Sequence, residues 1–402
     1  MRGRWFSPIL KILFLHHNFP GQFRWIASHL ATVGCDVVFL TEANLADPLP
    51  GVRHVAVPVS HPISHSSIDG QLACANRFLE SMKTLKASGW CPDTIVSHSG
   101  WGCGLDASFV FPKAKIVSYL EWWFSDQCSD YTFDPNSPWW QYSEDTRFKL
   151  RRRNLSLSLE LAVADTIIAP TNWQRSQLPI CFQDRCTVIH EGVDTNYFVM
   201  NPKWRPSDRI RITYATRGME QMRGFPHFIE AISEILSVRK NLEVVIAGTD
   251  KVAYGSKVPK EGSFEKWARS ILKPWIEQGV VKFVGALPKQ AYARLLKSSH
   301  VHCYLTRPFV LSWSLLDSMA SGCQIVCSDV PPVREVAHPV ASFWADHTIR
   351  SSLVSAICKA ADLTEHQRFA NGLSQRHVIL SGYTRQQSLV SWLRVLQIPD
   401  VT

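Results

Sequence analysis

Two arginines six residues apart, Arg217 and Arg223, flank a short loop in the run TYATRGMEQMRGF (Thr213–Phe225). A strand-like stretch ends before Arg217, and Arg223-Gly224 opens the next helical pattern. Two guanidiniums placed this way can clamp a diphosphate with forked hydrogen bonds; the ordinary alternative is a pair of surface arginines. A second segment, Val301–Ser328 (VHCYLTRPFVLSWSLLDSMASGCQIVCS), reads as strand, loop, helix and strand. Arg307-Pro308 breaks the apolar run Val301–Leu305. Ser312 is an N-cap residue, Leu315, Leu316, Met319 and Ala320 follow at helical spacing, and Gly322 stops the helix. A loop ending on a helix N-terminus presents backbone N–H groups and the positive end of a dipole, which suits a phosphate. A departing phosphate needs a metal ion or fixed cations. No Asp-x-Asp pair sits at a loop position, so fixed cations are expected and no metal. The 11 cysteines include no Cys-x-x-Cys pair and read as reduced thiols.

The first half offers fewer such groups. NFPGQF (Asn18–Phe23) follows the first strand, and Gly21 permits close backbone approach. His98, in SHSGWG, and Glu121, in YLEWW, each follow a strand and reach the same sheet edge if the strands are parallel. Each is read either as a contact to a bound group or as a satisfied structural side chain. Tyr254, in a polar loop, and Val284, in the run Phe283–Gly285, are candidates for contacts to a base.

These residues need a scaffold that aligns strand ends. In the first half Lys11–Leu15, Asp36–Leu40, Ile95–Ser97, Ile116–Tyr119, Thr166–Ala169 and Thr187–His190 read as strands, with helices over Gly21–Val33 and Arg147–Ala164. In the second half Arg211–Tyr214, Leu242–Ala247, Val281–Val284, His300–Leu305 and Gln324–Cys327 read as strands. Strands spaced by helices imply βαβ units and parallel sheets. At 402 residues, two domains are expected. They are placed at 1–200 and 201–383, with a linker near Tyr197–Pro206. A C-terminal amphipathic helix over 384–402 carries Leu389, Trp392, Leu393 and Leu396 on one face. The fold class is α/β, two Rossmann-like domains facing across a cleft, with ligands at the carboxyl ends of the strands.

The segment around Ser312 resembles the donor-binding loop and helix of the family-four, retaining, nucleotide-sugar glycosyltransferases, whose pattern is E-G-F-G-x-x-x-x-E-A-M-A-x-G. Phe309 stands at the first Glu and Asp317 at the second; PFVLSWSLL resembles one branch of that family. The resemblance covers most of residues 11–380 and implies the GT-B fold, with the last helix returned onto the N-terminal domain. It implies that Arg217 and Arg223, the latter in place of a Lys, bind the donor diphosphate. Backbone N–H groups of Ser312, Trp313 and Ser314 contact the donor, and Asp317 meets its ribose. Gly21 lies in the loop that approaches the donor phosphate. Relatives carry a His near the position of Glu121, so Glu121, then His98, are the candidates for contact with sugar or acceptor. The implied activity is a retaining, metal-independent transfer from a nucleoside-diphosphate sugar, such as a UDP- or GDP-sugar, to an acceptor hydroxyl in glycan or glycoconjugate synthesis. The acceptor is a glycan, a lipid-linked molecule or a small molecule. The alternative is an inactive sugar-nucleotide binding protein, motivated by Phe309 and the missing His.

The net charge of +9 is uneven: residues 1–200 hold 17 Lys+Arg against 18 Asp+Glu, and residues 201–402 hold 26 against 16. A basic second half suits an anionic ligand there, or is a soluble basic surface. No basic-aromatic motif supports a nucleic-acid partner. RFKLRRR (Arg147–Arg153) reads as a patch for a membrane surface or acidic acceptor, or as a solvated helix face. No apolar run is long enough to span a bilayer and no cleavable leader is read, so the expected location is cytoplasmic, with peripheral membrane contact left open. Monomer and homodimer are both compatible with the sequence.

Overall fold

The structure, a computed structural model, describes residues 9–43, 47–60, 64–127, 130–140, 142–200, 209–255 and 258–398. Residues 201–206 of the expected linker lie outside the described residues. The chain divides into two compact units. One comprises the residues up to Ser125, Glu144–Glu191 and those from Ser388 on; the other comprises Asp126–Ser143 and Gly192–Gln387.

The first unit holds seven strands: β1 (Lys11–Leu15), β2 (Asp36–Thr41), β3 (Arg53–Ala56), β4 (Thr94–His98), β5 (Lys115–Tyr119), β6 (Thr166–Ala169) and β7 (Cys186–Val188). All pair in parallel, in the order β3-β2-β1-β4-β5-β6-β7. A parallel sheet is covered on both faces, so its central strands are mostly apolar. Along β1, Leu13 and Leu15 enter one cluster while Ile12 and Phe14 enter the other. The helix Arg385–Leu396 completes the second cluster with Leu389, Trp392, Leu393 and Leu396; Trp392 meets Phe23 edge-on at 6.5 Å.

The second unit holds β8 (Ile210–Gly218), β9 (Leu242–Thr249), β10 (Val281–Gly285), β11 (Val301–Tyr304), β12 (Ile325–Ser328) and β13 (Ser342–Ala345). They too are parallel, in the order β10-β9-β8-β11-β12-β13. Strand order reverses between β1 and β4 in one unit and between β8 and β11 in the other. Helices leave such a switch point on opposite faces, which opens a crevice beyond the carboxyl ends of the two strands.

Two strands were not legible in the sequence. Edge strand β3 carries Arg53 and His54 and is half exposed, so no apolar run marks it. Edge strand β13 lies in the stretch AHPVASFWA, where His338-Pro339 interrupts the apolar pattern just before it. The segment Asp126–Ser143, between β5 and the helix Glu144–Val163, packs with the second unit, where Trp139 sits edge-on to Phe264. Its anchor is Arg307, buried to 1% exposure. The guanidinium donates to the Asp130 carbonyl, pairs with Asp134 at 3.6 Å and lies 4.7 Å from the Trp140 ring centre.

Candidate active site

In the second unit, the loop after β8 and the loop after β11 meet at the switch point. The Arg307 N–H donates to the Met222 carbonyl at 3.0 Å, and Arg223 Nη1 donates to Thr306 Oγ1 at 2.8 Å. Gly224, at φ +62°, seals the junction: a Cβ there would come within 2.7 Å of Leu305 Cβ, so only glycine fits. Arg223 is half buried and Arg217 exposed. Between them lies Glu220, buried, whose carboxylate accepts from the Tyr254 N–H at 2.7 Å and also from the Ala253 N–H. Burial raises this carboxyl, while the two N–H groups and both arginines oppose the rise. Glu220 thereby ties the Tyr254 loop to the arginine loop. The Tyr254 ring in turn stands edge-on to Phe309, 5.2 Å away.

The helix Trp313–Ala320 starts beside this junction. Ser312 caps it, with its hydroxyl accepting weakly from the Ser314 N–H at 3.4 Å; Ser312 N–H donates to Tyr304 Oη at 3.1 Å. Trp313 is half exposed. Asp317, one turn in, is half buried and pushed up to about 8 by desolvation, against the pull of Lys289 and Arg385. Arg385 is itself paired with Asp194 at 2.9 Å. Phe309 is buried and places no charged or hydrogen-bonding side chain in this neighbourhood. Val284 sits at the end of edge strand β10, two strands from β8. The structure therefore brings Arg217, Arg223, Tyr254, Ser312, Trp313, Ser314 and Asp317 to one end of the second sheet, with Val284 apart on its rim.

The first unit gathers a different set at the ends of β1, β4 and β5. Hydrogen-bond donors and acceptors there run in one direction toward Glu121. Asn18 N–H donates to His16 Nδ1 at 3.0 Å, so the proton of the neutral ring lies on Nε2, which faces Gln22 Oε1 at 3.0 Å. Burial, with His98 and His17 beside it, holds His16 far below the usual histidine range and therefore neutral. Gln22 Nε2 then donates to Glu121 Oε1 at 3.0 Å. From the other side, the Trp101 indole N–H, which can only donate, meets His98 Nδ1 at 3.0 Å. Any proton on His98 is thus on Nε2, which lies 3.6 Å from Glu121 Oε2, beyond hydrogen-bond reach. The backbone of Glu121 is fixed as well, its carbonyl accepting from Gln174 Nε2 at 2.6 Å. Gly21, at φ +52°, allows this packing, because a Cβ would come within 2.4 Å of His16 Nε2. The carboxylate remains one third exposed. One of its lone pairs is oriented by the Gln22 amide.

Gln22, His16 and Trp101 are the residues sequence reasoning missed here, as it missed Glu220, Thr306 and the anchor Arg307 in the second unit. The signal for Gln22 was within reach, since it lies in the same NFPGQF turn as Gly21. Beneath this network Tyr119 Oη donates to Glu191, whose carboxyl burial pushes up to about 8. Glu42, His65 and Cys74 place possible metal-ligating atoms within 4.8 Å of one another. Glu42 is already engaged there by Arg77 at 2.6 Å and His65 at 2.7 Å, and burial raises the Cys74 thiol far above its ordinary value. That is an ion-pair cluster whose carboxylate is satisfied by protein groups.

Two family models match the chain: the glycosyl transferase family 4 group over residues 33–198 and the glycosyl transferases group 1 over residues 209–362. No curated protein sequence matches it. Among solved structures it is similar to sucrose-phosphate synthase from Thermosynechococcus elongatus, with 15% identity and a TM-score of 0.76, covering 97% of this chain and 98% of that one. It is also similar to a glycosyltransferase from Rickettsia africae ESF-5, with 13% identity, a TM-score of 0.70, and 98% and 100% coverage. A third is Anabaena HepE in complex with UDP and glucose, with 15% identity, a TM-score of 0.69, and 96% and 99% coverage. At these identities the structural likeness speaks for the fold, and the family models speak for the class. The chain belongs to the family-4-type glycosyltransferases, built on the two Rossmann-like domains of the GT-B fold.

Proposed function

We propose that the protein is a retaining, metal-independent transferase that moves a sugar from a nucleoside-diphosphate sugar to an acceptor hydroxyl in glycan or glycoconjugate synthesis. The observation that carries this reading is the junction in the second unit. Arg223 is bonded to Thr306 in the loop that leads to Ser312, and Arg217, Arg223 and the helix N-terminus lie at one sheet end. Two cations and a set of N–H groups are what a departing diphosphate needs when no metal serves it. In the reaction the bond from the anomeric carbon to the phosphate oxygen breaks, and the acceptor oxygen bonds to that carbon on the same face. The acceptor's proton passes to the departing phosphate. Asp317 takes a donor hydroxyl, and Tyr254 with Glu220 frames the base. Glu121 accepts a hydrogen bond from a hydroxyl of sugar or acceptor, with Gln22 bonded to it and His98 beside it.

Anabaena HepE was solved with UDP-glucose, which makes that donor the first to try. The second reading, a binder without turnover, is favoured by Phe309, which is buried where the family pattern has an acid. Incubation with a panel of radiolabelled nucleotide sugars separates the two. Donor hydrolysis or transfer supports the enzyme; tight binding with no release of nucleoside diphosphate across the panel supports the binder.

A further inference from the structure

The helix Glu144–Val163 is apolar on two sides. Its inner side carries Leu150, Leu157 and Leu161, all buried, the last two in the core of the first unit. Its outer side should then be polar, as in any surface helix. Instead Phe148, Leu155, Leu159 and Val163 are 49%, 52%, 60% and 42% exposed. At 100° per residue these four fall within an arc of about 80° and form a straight strip about 22 Å long. Exposed Lys149, Arg151 and Arg152 interrupt or flank the strip over its N-terminal half, and among the described residues none of the three has an ion pair or side-chain hydrogen bond. Glu144 and Asp145 precede them in the first turn, where acids suit the helix dipole.

We propose that this outer face docks on an anionic lipid surface, with the helix lying in the plane of the interface. An apolar strip bordered by long basic side chains is the composition that buries its hydrophobes among acyl chains while the cations reach phosphate groups. The charge sign selects anionic over zwitterionic lipid, since each basic residue near such a surface adds attraction. The strip belongs to a helix that does not cross: no described helix is long and apolar enough to span a membrane. This inference rests on the first unit alone and stands whether or not the transferase reading holds.

The test is co-sedimentation of the full chain with sucrose-loaded vesicles, either pure phosphatidylcholine or with a third of the lipid replaced by phosphatidylglycerol. The expected result is binding to the anionic vesicles, weak binding to the neutral ones, and loss of binding as salt is raised. The double variant Leu155→Asp/Leu159→Asp lowers partition about tenfold or more. Lys149→Glu/Arg151→Glu/Arg152→Glu, which keeps the strip, lowers it on anionic vesicles alone. All five side chains are exposed, so both variants keep the parent's thermal melt. No sedimentation with either vesicle overturns the proposal, as does equal partition of parent and variants. A dimer in sedimentation velocity that Leu155→Asp/Leu159→Asp converts to monomer also overturns it, because the face then belongs to a second copy.

Discussion

The two polar constellations of this protein are built on opposite plans. In the first unit the polar groups are bonded to one another: His16 holds Gln22, which donates to the Glu121 carboxylate, and Trp101 holds His98 beside it. In the second unit the charges are left available. Arg217 is exposed, Arg223 makes one side-chain bond among the described residues, and Ser312 caps the helix at Trp313 with a long contact. A site that aligns a neutral sugar or a hydroxyl needs acceptors of fixed direction; a site that receives a diphosphate needs uncompensated positive charge. The charge asymmetry of the sequence, near neutral in one half and basic in the other, is the bulk trace of the same division.

That contrast can be broken at specific residues. The largest effect belongs to Glu121→Ala. It is expected to lower kcat/KM roughly 100-fold, on the scale of a lost charged hydrogen bond, while leaving the Kd for nucleoside diphosphate unchanged. A matching loss of diphosphate affinity would erase the distinction between the two sites. Arg223→Ala comes next, with the reverse signature: calorimetric affinity for UDP or GDP falls by about 1.5–3 kcal/mol. Trp101→Phe is smaller and sharper. Losing the indole donor frees His98 to move its proton to Nδ1, so ring ¹⁵N shifts report a mixture of tautomers where the parent shows Nε2–H alone. A roughly tenfold drop in kcat accompanies this if the orientation of Glu121 matters. An unchanged tautomer in the variant contradicts the relay.

The smallest expected effect concerns Glu160, which is buried and accepts from the Gly100 N–H at 3.2 Å. Desolvation pushes its carboxyl up to about 8. Below the ordinary carboxylate range both folded and unfolded chains hold this proton. Between that range and about 8 only the folded chain does, so stability falls as pH rises through this window. Glu160→Gln removes its share of that slope, so the melt at pH 8 should rise relative to the melt at pH 5 when compared with the same pair in the parent.

The fold was legible because buried parallel strands are short apolar runs between helical patterns; β1, β6 and β9 stand out for that reason, and the mixed-polarity edge strands β3 and β13 do not. The arginine loop and the Ser312 helix were legible because each is local, spelled within about a dozen residues. The Glu121 network was not, since its members come from three strand ends and their order depends on ring tautomers that no spacing encodes. Arg307 shows the same limit from the other side. In sequence it is half of a strand-breaking Arg-Pro pair, and in the structure it is the buried anchor for a segment more than 160 residues earlier.

The most direct test of the central claim is amide hydrogen exchange with and without saturating UDP or GDP. Bound diphosphate should slow exchange over residues 217–225 and 304–316 together. Tight nucleotide binding that protects neither of those two loops would contradict it.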